Sequence, residues 1–236
     1  IILGYPCHDV LHNIKHGDGD LKKLTGRKSS FNVEQESNQK FEKVIIWMPT
    51  FRKLRSGERI DSNVELTMGV PILKNNEDFC KLDEKLASKK VLLVIKIHPM
   101  QDTSKIRIRS TNNIVVLDGN TVKELGIDNY RLMVDTDAMI TDYSSSGTDY
   151  LQTQNPLAYT LSDMNEYKLG FIVENIHELM PGKKIYSLND LLIFIDDVVD
   201  GRDKYVKERR VALEKMFKYH DGRSCQRLAE HMGINK

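Results

Sequence analysis

Cysteine is scarce in this 236-residue chain, which has only Cys7, Cys80 and Cys225, far apart in sequence. So few thiols exclude a disulfide framework and offer no zinc-site spacing, so they read as packing or surface groups of an intracellular, reducing compartment. Long apolar runs are also missing. The longest, 91–95 and 191–195, fall well short of a membrane span, and the N-terminus lacks the apolar core of a signal peptide. Nor is there a charge excess: 35 Lys and Arg against 34 Asp and Glu leave +1, no polyelectrolyte footprint for nucleic acid, so any basic site is local. No internal repeat or low-complexity tract occurs. What remains is a globular composition, 40% hydrophobic and 29% charged, long enough for one large core or two small ones.

The chain is organised around residues 138–150. Ala138, Met139 and Ile140 form a short apolar strand, Thr141-Asp142-Tyr143 turn polar, and Ser144-Ser145-Ser146-Gly147 stand where a helix would begin. Unpaired backbone N–H groups at such a turn welcome an anion, phosphate first. The alternative is an ordinary N-cap at Ser144 with nothing bound.

Two other predicted strands end comparably. Residues 43–48 are continuously apolar, as in a strand buried on both faces of a parallel sheet, and run into Pro49-Thr50-Phe51-Arg52. Arg52 is placed either to hold a phosphate bidentately or to sit at the surface beside Lys53 and Arg55. Residues 91–97, apolar except for Lys96, end at His98-Pro99, where the proline stops the strand. An imidazole there can donate to a phosphate, shuttle a proton, or be structural. In open α/β sheets this carboxyl edge is where ligands sit.

Between these strands Phe79, Leu82 and Leu86 keep helical spacing over 75–89. A third strand at 113–118, short helices at 121–125 and 129–135, a strand at 156–161 and the apolar Gly170-Phe171-Ile172-Val173 continue the rhythm. It predicts an α/β fold, a parallel, doubly wound sheet. Residues 52–69 read as a loop long enough to meet a substrate. Upstream, the chain opens in an apolar run without initiator Met, as a fragment would, then gives a short helix near 9–14 and a polar, mobile connection. His8, His12 and His16 keep helical spacing but have no carboxylate or thiol ligand clearly placed, so they read as a solvated face; neither metal nor cofactor is expected. Downstream come an amphipathic helix at 188–199, a break at Gly201, a charged helix at 202–219 read as solvated rather than lipid-bound, and a last helix opened by Asp221-Gly222-Arg223-Ser224.

Gly4-Tyr5-Pro6 with Asp9, Pro49-Thr50-Phe51-Arg52, Lys96-Ile97-His98-Pro99, Ile140-Thr141-Asp142-Tyr143-Ser144-Ser145 with Asp149-Tyr150, Pro181-Gly182 and Asp221-Gly222-Arg223-Ser224 stand in order along the chain. Together they resemble the CDP-glycerol glycerophosphotransferases of teichoic-acid and capsule-polymer synthesis. The resemblance implies the C-terminal, nucleotide-binding domain of a GT-B fold: a connection at 1–42, a Rossmann-like donor-nucleotide domain with helices on both faces at 43–200, and C-terminal helices at 201–236. It further implies a CDP-glycerol donor and a lipid-linked polymer whose hydroxyl attacks the phosphorus bearing the glycerol, releasing CMP. By position, His98 is the expected catalytic residue. Arg52, Thr141, Asp142, Ser144 and Ser145 are the expected donor-pyrophosphate contacts, with support from Lys96 and Asp149; Asp149 alternatively ties the loop to the helix start. The general base and a His-Gly motif are expected on an N-terminal half of the same enzyme, and the location at the cytoplasmic face of the membrane, peripherally attached. A CDP-ribitol or nucleotide-sugar donor, and a non-catalytic nucleotide-binding or interaction domain, are the competing expectations.

Overall fold

The computed structural model describes residues 1–25, 41–52, 64–166 and 176–234. Its strands are β1 (Lys43–Trp47), β2 (Val91–Lys96), β3 (Ile114–Leu117), β4 (Ala138–Thr141), β5 (Leu157–Thr160) and β6 (Lys183–Ile185). Its helices are α1 (Asp9–Asn13), α2 (Lys22–Thr25), α3 (Asn76–Ser88), α4 (Gly119–Glu124), α5 (Asn129–Val134), α6 (Ser145–Tyr150), α7 (Leu188–Val199), α8 (Val206–Met216) and α9 (Ser224–His231). The strands form one parallel sheet in the order β3-β2-β1-β4-β5-β6. The chain thus winds outward from β1 to β3, then resumes on the other side of β1 with β4. The crevice beyond the carboxyl ends of β1 and β4 is the topological switch point, where such sheets take their ligands.

The apolar runs of β1 and β2 are unbroken because both sheet faces are covered. Ile45, Trp47, Leu93 and Ile95 point to one side, into a core shared with Phe79, Leu82 and Leu86 of α3 and Leu191, Phe194 and Ile195 of α7. Ile46, Met48, Leu92 and Val94 point to the other, against Leu132 and Met133 of α5 and Ala212 and Leu213 of α8. Each large side chain so buried contributes about 1.5–3 kcal/mol. Helix starts are fixed locally: Asn75 accepts the Asp78 amide at α3, and Ser187 and Asp190 form a reciprocal capping box at α7.

The architecture is the Rossmann-like α/β fold that the rhythm predicts, with three local differences. Strand β6 escapes the sequence pattern because Lys-Lys-Ile offers a single apolar residue, the composition that protects a sheet edge. The charged helix expected from 202 begins at Val206, after Gly201 turns with φ 66° and Asp203 accepts the Tyr205 amide. His8 is no part of a solvated face: it is buried at 4% exposure, against Tyr5, Tyr130 and Phe217. The expected substrate loop falls largely at 53–63, and much of the expected connection (26–40) and the apolar 170–173 segment also lie outside the described residues. No helix among the described residues is long and apolar enough to cross a membrane.

Candidate functional site

Three loops leave the carboxyl edge of the sheet beside the switch point. After β1 the pairing continues one step, the Met48 amide donating to the Ile140 carbonyl at 2.9 Å. The Thr141 hydroxyl donates to the Met48 carbonyl at 2.9 Å and lies 3.3 Å from the Ser146 hydroxyl, so it is a buried tie between β1, β4 and α6.

Arg52 follows and turns inward, only 3% exposed. Its Nε and Nη2 donate to both oxygens of Asp163, at 2.6 and 3.2 Å. Nη1 donates to the Thr50 carbonyl at 2.7 Å and lies 2.9 Å from the Asp142 carboxylate, while Nη2 also reaches the Tyr143 hydroxyl at 3.1 Å. Asp142 in turn accepts the Thr50 amide and hydroxyl, and Tyr143 donates to Asp163 at 2.5 Å. Burial works against the Arg52 charge, but these carboxylates outweigh it and hold the guanidinium firmly protonated. Burial, with Asp163 beside it, likewise pushes the Tyr143 phenol far up. All three guanidinium nitrogens are committed to protein acceptors. In this arrangement Arg52 and Asp142, expected from the sequence at the donor pyrophosphate, clamp the loops after β1, β4 and β5 together.

After β2 the chain turns at His98-Pro99. The Met100 amide donates to His98 Nδ1 at 3.2 Å, which makes Nδ1 an acceptor and places the proton of the neutral ring on Nε2. The Phe51 ring packs 4.9 Å from the imidazole, and Gln101 accepts the Arg52 amide, so the His98 loop leans on the Arg52 loop. After β4, Ser144 caps α6: its hydroxyl oxygen accepts from the Ser146 amide and hydroxyl, at 3.3 and 3.0 Å.

Between these loops lies an open cleft of about 510 Å³, floored by Met48 and Pro49. Lys96 and His98 line it from β2, Ser144, Ser145 and Asp149 from the serine turn and α6, and Tyr130 from α5. The structure thus brings five of the expected site residues (His98, Ser144, Ser145, Lys96 and Asp149) to one cavity. It leaves Arg52, Thr141 and Asp142 behind the wall. Asp149 is a tie as well as a lining residue, accepting His8 Nε2 at 2.8 Å and the Tyr130 hydroxyl at 3.3 Å. Sequence reasoning missed His8, Tyr130 and Asp163. Asp163 had a readable signal, a carboxylate just past a predicted strand, opposite an arginine at the same edge. His8 had none, because its partner Asp149 is 141 residues away. Among the described residues no group of three or more His, Cys, Asp or Glu is placed to hold a metal ion.

A structure of the wall teichoic acid polymerase TagF superposes with a TM-score of 0.68 at 21% identity, over 99% of this chain and 52% of that one, which speaks to the fold. The Staphylococcus aureus teichoic acid ribitol-phosphate polymerase TarK is 27% identical over 194 residues, 82% of this chain and 34% of its own length. A teichoic acid glycerol-phosphate transferase of the same species is 25% identical over 232 residues, 96% of this chain and 52% of its own length. The chain thus spans about a third to a half of the length of these curated relatives. The family model for CDP-glycerol:poly(glycerophosphate) glycerophosphotransferase matches residues 1–232, and the chain belongs to that family.

Proposed function

We propose that this chain is the donor-nucleotide half of a GT-B polyol-phosphate transferase, and that the cleft between His98 and the serine turn takes the pyrophosphate of CDP-glycerol. The observation that carries this reading is the placement of both at the switch point of the sheet, in a chain of this family. In the reaction an acceptor hydroxyl oxygen bonds to the phosphorus that bears glycerol. The bond from that phosphorus to the bridging oxygen breaks, and CMP leaves with the electron pair. The hydroxyl proton goes to a base that we assign to the other half of the enzyme. His98 presents Nε2–H to the departing phosphate, and Ser144 and Ser145 hydrogen-bond the same group. Such chemistry needs in-line positioning and charge stabilisation more than covalent help. Loss of one preorganised donor costs about 10²–10³-fold in turnover. The polymer acceptor is lipid-linked in this reading, which puts the enzyme at the cytoplasmic membrane face, attached peripherally.

A second donor, CDP-ribitol, is favoured by the ribitol-phosphate polymerases among the relatives, 27% and 28% identical. Calorimetric titration with CDP-glycerol, CDP-ribitol, CMP and UDP separates the readings. Cytidine-selective binding that weakens in His98→Ala and in a double Ser144→Ala, Ser145→Ala variant is expected; a folded chain that binds none of them refutes the donor site.

A further inference from the structure

Three cationic side chains are buried among the described residues: Arg52, Lys96 and Arg209. Arg52 is neutralised by Asp142 and Asp163. Arg209, 1% exposed, pairs with Asp203 and donates to the Gln154 carbonyl. Lys96 differs. It is 5% exposed at the last position of β2, and among the described residues no hydrogen bond, ion pair or aromatic face engages its ammonium. Burial alone acts on it, drawing its pKa down with no compensating carboxylate. The ammonium nitrogen keeps some contact with solvent, but leaving a charge on so largely buried a side chain without a partner is still costly, so a fold that does so has a reason outside its own packing. The way out for this charge is the cleft, whose wall Lys96 shares with His98, facing Ser144 and Ser145.

We infer that Lys96 is the phosphate-binding cation of the cleft, left unpaired in the fold because its counter-ion is a phosphate group of the ligand. The inference rests on the donor-site reading of the cleft and goes beyond it by assigning the charge. Of the two cations at this edge, the one that looked like a phosphate ligand in sequence is already neutralised, and the one inside a strand is not. A ligand phosphate would gain a partly desolvated ion pair, in which charge-assisted hydrogen bonds are strongest. A neutral nucleoside would gain nothing from it.

The test compares the wild-type chain with Lys96→Met and Lys96→Arg, by thermal unfolding without ligand and by titration with CDP-glycerol, inorganic pyrophosphate and cytidine. Lys96→Met should unfold at the same temperature or higher, because an uncompensated charge has been removed. Its affinity for both phosphate probes should fall about 10- to 100-fold, the loss of one charge-assisted contact. Any affinity for cytidine should stay as in wild type, and Lys96→Arg should retain phosphate binding. A lower melting temperature for Lys96→Met overturns the inference whatever the affinities, since the lysine would then be structural. Unchanged affinity for CDP-glycerol and pyrophosphate overturns it too, while leaving the proposed function standing. Lys96-dependent binding of pyrophosphate without binding of CDP-glycerol supports the cation and overturns the donor. Binding of neither probe by the wild-type chain overturns both.

Discussion

Replacing Arg52 by Met should cost stability rather than ligand contacts. The substitution leaves the Asp142 and Asp163 carboxylates, 0% and 1% exposed as side chains, facing one another without the guanidinium between them. Removing one partner of a buried ion pair costs about 3–5 kcal/mol, because the other charge stays buried and uncompensated. That is a large part of the roughly 5–15 kcal/mol that holds a domain together. For a chain of this size each kcal/mol shifts the melting temperature by about 2–4 °C, so Arg52→Met should melt about 6–20 °C lower. Arg52→Lys should fall between, since one ammonium cannot reproduce the bidentate fork to Asp163 and also reach Asp142 and Tyr143. Differential scanning fluorimetry gives the melting temperatures, and calorimetric titration at a temperature where the variant is still folded gives its affinity for CDP-glycerol. An Arg52→Met protein that melts like wild type but no longer binds CDP-glycerol would refute the clamp and restore Arg52 as a direct phosphate ligand.

Two further outcomes follow from the same geometry. A Cβ added at Gly147 would stand 2.9 Å from the Thr141 methyl and 3.3 Å from the Tyr159 ring. Overpacking of about 1–3 kcal/mol should therefore outweigh the roughly 1 kcal/mol that Ala gains over Gly in a helix. Gly147→Ala should lower the urea midpoint and weaken donor binding by displacing the serine turn; an unchanged midpoint would show that α6 yields freely. Stability should also depend on alkaline pH through Lys184, whose ammonium burial draws down to about 8 from 10.5. Between those values the unfolded chain keeps a proton that the folded chain has released, so stability rises with pH. Above about pH 10 the buried tyrosines reverse the trend. Burial pushes Tyr150 up to about 12, and Tyr143 and Tyr159 also rise, so the unfolded chain now loses protons first. Urea melts from pH 7 to 10 should show the rise in wild type and a shallower one in Lys184→Met, the remainder belonging to Lys96, whose pKa burial also lowers; a rise equally steep in Lys184→Met would assign it wholly to other groups.

What was legible in the sequence is what short-range physics writes there. The runs 44–48 and 91–95 in and beside β1 and β2 are apolar at every position because two cores need them, and such a run with Pro49 or Pro99 shortly after it marks both a strand and its carboxyl end. Five such strands place the ligand edge without any knowledge of pairing. The wall of the cleft was legible for the same reason, since His98, Ser144 and Ser145 stand shortly beyond the carboxyl ends of β2 and β4. Which polar groups there face a ligand and which face each other was not legible, because that depends on partners distant in the chain. Arg52 and Asp163 are 111 residues apart, and His8 and Asp149 are 141 apart. Arg52 and Lys96 show the consequence most plainly. An arginine in a loop reads as a leading phosphate contact, and a lysine at the end of an apolar strand as no more than support for it. Folding changes their order by bringing Asp142 and Asp163 to Arg52 and, among the described residues, no carboxylate to Lys96. The charge an edge offers a ligand is therefore a remainder, what is left after the fold has paired its own ions, and only the tertiary structure carries out that subtraction.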